Sequence, residues 1–581
     1  MRGEQLPNYP NFQKHQISDM GAPIENARIL AVFPFSGPSQ YILVKPYLKE
    51  LTTRGHVLTV INGYPSEENG DNYKDIPLLE VHEIQKAYME GAVLKRNVWS
   101  ELTFVSDLLY NISEAVLRNA QVRRLLIDET FDLAIVEAVN TDALYSLGYH
   151  FGVPIIGVSS YGKDIIIDEI MGNPTPLAYI PSMATGFTHK MSYGQRLQNV
   201  VVQMLELLHN RWIHLPRQQN LLNLYMPHIS KTVQTMRKNI SLYLVNQHFS
   251  LSFAKPNVPN IIEVGGFQIP TKTKPLPKEL RSIIDNTLYD IIYFSMGSNV
   301  KSKDFPSQIL QMFNRVFSQL PYTVLWKFEN HELPGKPSNV HINPWFPQID
   351  ILAEEKVKLF ISHGGLLSTF EAVHYGKPIL GLPIFFDQHL NVNNAKEKGF
   401  ALGLDVTTIT ELQFKSSILE LMVNQSYSEK AREISQIYHD QPLRPMDLAI
   451  YWTEYILRHR GAEHLQSPAK EMDFLQSNSI DTIGVLAIIV VLTTCVFIIL
   501  LLFPFSGPSQ YILVKPYLKE LATRGHELTV INGYPSEENG DNYKDIPLLE
   551  VHEIQKAYMK GAVLKRNVWS GKGNLPDMVL K

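Results

Sequence analysis

The stretch from Trp345 to Gly399, WFPQIDILAEEKVKLFISHGGLLSTFEAVHYGKPILGLPIFFDQHLNVNNAKEKG, constrains the fold more than any other part of this chain. It reads as two strand–turn–helix units in succession. Lys358–Ser362 is an apolar run of strand length that ends at His363-Gly364-Gly365, where two glycines permit positive φ and close approach of a ligand. Ser368 and Thr369 fall in the first turn of a helix that Tyr375-Gly376 closes and Pro378 cannot continue. Lys377–Ile384 is the next strand, Phe385–Gln388 its exit loop and Leu390–Lys398 the next helix.

The chemistry follows from that layout. A loop at the carboxyl end of a parallel strand that feeds a helix N-terminus offers free N–H groups and the positive end of a dipole, which suits a phosphate. His363 can donate to a diphosphate oxygen, Gly365 and Ser368 lie in the same turn, and Glu371 can accept from a ribose diol. Asp387 and Gln388 supply an acceptor and an amide for sugar hydroxyls. Trp345 offers a flat face to a base whose edge Gln348 can pair. Singly, each has a plainer reading: a ligand-free Gly-Gly turn, a solvated helix face for Glu371, a core tryptophan.

In combination, the order W-x-P-Q, H-G-G-x-x-S-x-x-E, P-x-x-x-x-P-x-x-x-D-Q resembles the signature of the membrane-bound UDP-glycosyltransferases of animals, the insect branch above all, over roughly residues 28–503. The resemblance implies an α/β fold of GT-B type, two Rossmann-like domains facing across a cleft plus one C-terminal transmembrane helix. It implies transfer of glucose or glucuronic acid from UDP-glucose or UDP-glucuronate to a small lipophilic acceptor, with inversion and without a metal. One position departs: where the family has His-Pro after Leu352-Ala353, Glu354-Glu355 stand here, and a local loop change is expected.

Length and composition agree with this frame. A chain of 581 residues is too long for one core. A net charge of −4 with 19% charged residues gives no basic excess for nucleic acid. The single cysteine, Cys495, excludes an internal disulfide. Asn111, Asn239 and Asn424 head N-x-S tripeptides, glycosylation acceptors if the body is lumenal.

Residues 1–27 form a polar leader without the apolar core of a signal peptide. From Arg28 apolar strands alternate with helices through FDLAIVEA (131–138) and VPIIGVSS (153–160), so 28–270 reads as a doubly wound first domain, the acceptor-binding one by resemblance. The Pro-, Gly- and Met-rich segment 172–196 is either a surface loop or, as the resemblance implies, an acceptor-pocket wall. Thr271–Pro277 is the linker. Residues 278–462 form the donor-binding domain, where IIYFSMGS ends in Gly297-Ser298 within reach of a phosphate, followed by helices that cross back to the first domain.

Inverting transfer requires a base for the acceptor hydroxyl. The resemblance places that base in a Ser-His step after the first strand; here the step is Ser39-Gln40, and a carboxamide does not accept a proton at neutral pH. The family's orienting acid falls on Glu137, with Asp142 a second candidate. Three accounts stay open: Glu137 acts itself or through water, the acceptors are acidic enough to need little help, or the chain is an impaired UDP-sugar-binding relative acting as a partner or regulator, in a homo- or hetero-oligomer. A nucleotide-sugar epimerase is a weaker alternative.

Ile483–Phe503 is an uncharged run of 21 residues, long enough to span a bilayer. By resemblance it anchors a lumenal body in the endoplasmic reticulum membrane. Residues 503–570 repeat 33–100 with three differences, Thr52/Ala522, Val57/Glu527 and Glu90/Lys560. A strand–helix–strand fragment without the rest of its sheet is expected not to fold alone, and a fusion of neighbouring gene copies accounts for it; 571–581 is a tail.

Overall fold

A computed structural model describes residues 26–64, 69–90, 98–298, 300–384, 386–501, 508–534 and 540–565. It divides after Asp473 into two compact units. The first holds two parallel sheets. One comprises β1 (Arg28–Phe33), β2 (Val57–Asn62), β3 (Tyr73–Pro77), β4 (Leu133–Glu137), β5 (Ile155–Ser159), β6 (Ile240–Val245) and β7 (Ile261–Glu263), in the order β3-β2-β1-β4-β5-β6-β7. The other comprises β8 (Ile291–Ser295), β9 (Thr323–Lys327), β10 (Val340–Asn343), β11 (Val357–Ser362), β12 (Ile379–Gly381) and β13 (Ala401–Gly403), in the order β10-β9-β8-β11-β12-β13.

These strands are nearly continuous apolar runs because helices cover both faces of each sheet. β4, β5, β6, β8 and β9 are buried at every residue. Strand order reverses between β1 and β4 in the first sheet and between β8 and β11 in the second. The crevices beyond the carboxyl ends of those strand pairs are where doubly wound sheets take ligands. Gln40 and Glu137 follow the first pair; Gly297, His363 and Gly365 follow the second.

The chain returns to its first sheet through the helix Pro445–Arg458. Ala449, Ile450 and Ile456 join the core that contains β1 and β2, and the Tyr47 hydroxyl meets Thr453 Oγ1 at 2.6 Å. A second tie runs from Tyr438 Oη to the Gly265 carbonyl at 3.0 Å. A third joins Asn393 Nδ2 to the Gly186 carbonyl at 2.9 Å. The expected strand 377–384 shrinks to three residues, and Gln388 opens the following helix, Gln388–Glu397, two residues before the expected start. Glu354, at the departure from the family pattern, receives both Nη atoms of Arg281 at 2.8 and 3.0 Å, a loop-level substitution away from the crevice residues. Asn111 lies within the helix Val98–Arg118, its amide donated to Tyr88 Oη, whereas Asn239 is exposed just before β6.

The second unit starts with short helical residues and the helix Ile480–Leu501, 22 residues. Its side chains from 495 onward lie outside the described residues, as does the end of the expected span. No helix among the described residues is long and apolar enough to cross a membrane. The described part of this helix nevertheless exposes Ile483, Val485, Leu486, Ile488 and Leu492.

The repeated tail departs from expectation in an instructive way. It forms the helices Pro508–Thr523 and Leu549–Lys565 and a two-stranded parallel sheet, β14 (Leu528–Asn532) with β15 (Tyr543–Pro547). It even copies the stacked pair Tyr41–Tyr64 as Tyr511–Tyr534. Burial is not copied. Leu43 is 0% exposed while its counterpart Leu513 is 79% exposed, because the residues preceding the repeat belong to a helix and not to a strand equivalent to β1.

Candidate active site

The donor-side crevice is built from two loops and two helix starts. β11 ends at Ser362, whose Oγ accepts from Gly364 N at 3.2 Å; Gly364 turns the chain at φ +79°. The His363 ring then wedges between two backbones. A Cβ on Gly297 would stand 2.4 Å from His363 Cε1, and one on Gly365 would stand 2.4 Å from His363 Nε2. Both positions therefore need glycine for space, and Gly297 also for its φ of +77°.

Burial, aided by the nearby Lys327 ammonium, lowers the His363 pKa to about 4. The ring is neutral at physiological pH and can donate from one nitrogen. Its Nδ1 is buried without a hydrogen-bond partner. Gly365 caps the helix Leu366–His374 without a side chain, so first-turn N–H groups remain open toward the same place.

Sequence reasoning gave no role to Lys327. Its Nζ donates to the Gly297 carbonyl at 2.8 Å and to Glu329 Oε1 at 2.9 Å, and lies 5.7 Å from the centre of the Trp345 ring. It thus ties the β8 turn to the candidate base platform. The signal was present as an isolated cation closing an apolar strand, TVLWK, where a buried amine requires partners. Trp345 itself is 55% exposed and not a core residue. Ser298 follows Gly297 in a half-buried turn.

The sequence places Gln348 and Glu371 at different parts of a ligand, and the structure joins them by a hydrogen bond. Gln348 Nε2 donates to Glu371 Oε2 at 2.6 Å and to Ser368 Oγ at 3.0 Å, while Gln348 Oε1 accepts from Tyr293 Oη at 3.2 Å. The Gln348 amide is thus engaged inward, where it positions the acid. Glu371 is buried, not a solvated helix face, and burial raises its pKa to about 7 against the pull of Gln348.

On the neighbouring loop, Asp387 precedes the helix Gln388–Glu397. Its carboxylate accepts from Asn391 Nδ2 at 2.8 Å, and the same nitrogen lies 3.1 Å from the Gly364 carbonyl. Burial raises the Asp387 pKa to about 6. Gln388 Oε1 accepts from Ile384 N at 2.8 Å, so this amide is tied to the end of the preceding strand segment. His363, Gly365, Ser368, Glu371, Asp387, Gln388, Gly297 and Ser298 thus gather at the ends of three adjacent strands, β8, β11 and β12.

Across the cleft, Gln40 lies in the first turn of the helix Pro38–Thr53, and its Oε1 accepts from Ser39 Oγ at 3.0 Å. Glu137 ends β4, with both carboxyl oxygens buried. Burial raises its pKa to about 8, opposed by the Phe35 N–H. No hydrogen bond joins Glu137 to Gln40 among the described residues. Asp142, the second candidate, is buried against His214, Oδ2 to Nε2 3.2 Å; burial pushes its carboxyl up, but the His214 hydrogen bond and the charges of Arg237 and His214 hold it below the usual carboxylate range.

Beside His214 lies a cavity of about 140 Å³ whose wall includes Ser106, Asn140, Ser182, Gln203, Glu206 and His214. Ser182 belongs to segment 172–196, so part of that segment is a cavity wall and not a surface loop.

A family model described as "UDP-glucoronosyl and UDP-glucosyl transferase" matches residues 32–507. UDP-glucosyltransferase 2 of Dactylopius coccus is 34% identical over 482 residues, 81% of this chain and 91% of that protein. UDP-glucuronosyltransferase 2A3 of Mus musculus is 28% identical over 516 residues, 84% and 93% of the two chains. The solved structure of CalG4, the calicheamicin glycosyltransferase, superposes with a TM-score of 0.51 at 16% identity, covering 75% of this chain and 99% of that one. That superposition speaks to the fold alone, a GT-B pair of parallel-sheet domains.

Proposed function

The chain belongs to the UDP-glucuronosyl and UDP-glucosyl transferase family and is a glycosyltransferase that uses a UDP-sugar, and from that premise we propose that it transfers a hexosyl group, glucose or glucuronic acid, to a small lipophilic acceptor with inversion. One observation carries the site assignment. The neutral His363 presents a buried, unpartnered Nδ1 beside an uncapped helix N-terminus, at the strand-order reversal of the second sheet. A diphosphate supplies the acceptor oxygens that this arrangement lacks.

In this reading, the Trp345 face stacks on uracil, and Glu371, held by Gln348, accepts from the ribose. The amides after Gly365 and the Gly297-Ser298 turn hold the diphosphate, and Asp387 with Gln388 meets the hexose. As the bond from the anomeric carbon to the diphosphate oxygen breaks, negative charge gathers on UDP; the amides and His363 stabilise it, so the reaction calls for no metal. The acceptor oxygen attacks from the first domain, where Glu137 takes the proton directly or through water once it is ionised.

A calorimetric titration tests the donor site. UDP binding to the full chain is expected to weaken at least about tenfold in His363→Ala, which removes a charge-assisted hydrogen bond. Unchanged affinity would sink the assignment. Product analysis by NMR with UDP-glucose, UDP-glucuronate and a panel of phenols then identifies the sugar and the configuration formed.

The Gln40 carboxamide, together with a Glu137 that keeps its proton at neutral pH, favours a second reading: a donor-binding relative of low turnover, partnering an active homologue. Turnover indistinguishable from the uncatalysed background, with UDP binding intact, would establish it. For location, the exposed apolar side chains of the helix Ile480–Leu501 support a single-pass anchor, with the body on the lumenal side of the endoplasmic reticulum.

A further inference from the structure

The helix Tyr193–His209 is amphipathic the wrong way round for a soluble surface. Such helices ordinarily bury their apolar stripe. Here the buried face is largely polar: of its buried residues Asn199, Val202, Gln203 and His209 only Val202 is apolar, with Leu207 packed against the core beside it. Asn199 donates to the Leu177 and Ile180 carbonyls, both at 2.9 Å, Gln203 donates to the Ile180 carbonyl at 2.7 Å, and Glu206 accepts from Ser182 Oγ at 2.5 Å. The outward face carries Tyr193, Leu197, Val201 and Leu208 at four- and seven-residue spacings. It continues to Trp212 in the adjoining π-turn Asn210–His214. Tyr193 is 76% exposed and Trp212 70% exposed, with Leu197, Val201 and Leu208 each above half.

We propose that this outward face lies on the bilayer surface, and that the helix separates lipid on one side from the acceptor cavity on the other. Three observations select a lipid surface as the occupant. Aromatic residues stand at the two ends of the stripe, where amphipathic rings favour the headgroup level. Its flanks carry Arg196 and Arg211, while Glu206, the sole acid from 190 to 217, is turned inward onto Ser182. The stripe therefore joins apolar area to positive charge, the combination that binds an interface containing anionic lipid. Finally, Gln203, Glu206 and His209 on the opposite face line the cavity that Asn140 and His214 also border, so one helix width separates the outward face from that cavity. The proposal rests on the membrane reading given above and names the route by which a lipophilic acceptor reaches the site.

The test uses the full chain reconstituted in phosphatidylcholine–phosphatidylserine vesicles, with Cys495→Ser and one fluorescent label placed through Val201→Cys, Leu208→Cys or, as an aqueous reference, Ser318→Cys. Labels at 201 and 208 are expected to be quenched by bromolipid at least about threefold more than the label at 318, and by aqueous iodide correspondingly less. Equal iodide quenching at all three sites, in chains that carbonate washing leaves in the vesicles, overturns the proposal while the anchor stands. Lipid quenching at 201 in chains that carbonate removes supports the surface contact and overturns the anchor. In a second arm, Val201→Glu/Leu208→Glu is expected to raise KM for a lipophilic acceptor in vesicles by about threefold and to leave KM for a water-soluble phenol unchanged. An equal rise for both acceptors would instead mark a structural role and count against the proposal.

Discussion

At the scale of single residues, the site is governed by how burial tunes three acids and one histidine. Glu371 titrates near 7, so it is about half protonated at neutral pH and accepts fully from a ribose diol only above that value. UDP affinity is expected to tighten between pH 6 and 8, measured by calorimetry, and Glu371→Gln to abolish that dependence along with most of the affinity. Glu137, raised to about 8, must lose its proton to act as a base. The log of kcat/KM should therefore rise with pH until about 8. Gln40→His supplies a base that is free at lower pH, and should raise kcat at pH 7 by up to ~10². The sign for stability is the opposite. The folded state holds the Glu137 proton more tightly than the unfolded chain, so the stabilisation is complete below the unfolded value near 4.5 and is lost as pH rises through about 8. Glu137→Gln should accordingly raise Tm relative to the parent at pH 9, read by scanning calorimetry.

At the scale of elements, the chemistry depends on close backbone approach around His363. Gly365→Ala inserts a Cβ 2.4 Å from the ring and should displace it, lowering UDP affinity by an order of magnitude or more, with circular dichroism unchanged. This much was legible beforehand: strands, the Gly-Gly turn and the helix after it follow from short-range patterns that the backbone itself enforces. The engagement of Gln348 with Glu371 was not, because it joins residues 23 apart on two helices and depends on their packing. Lys327 was missed for the same reason, since its partners Gly297 and Trp345 lie on other loops. The inverted helix Tyr193–His209 hid in a similar way: periodicity gives the apolar stripe but not which side of the helix meets the protein.

At the scale of the whole molecule, the return helix Pro445–Arg458 couples the two sheets. Removing its buried hydroxyl contact in Thr453→Val leaves Tyr47 without that partner and should cost about 1–3 kcal/mol of stability, seen as a lower midpoint in urea. Because that helix belongs by sequence to the donor half and by packing to the acceptor half, the same change should also loosen the cleft and raise KM for both substrates.

The chain also contains its own control on what holds a fold together. Peptides from 40–52 and 510–522 differ only at the last position, so one hydrogen-exchange experiment, resolved by mass, can follow the same letters in two surroundings. Amides around Leu43 should remain protected for hours, and those around Leu513 should exchange far sooner. Local preference coils both segments alike; a neighbouring strand is what makes only one of them durable.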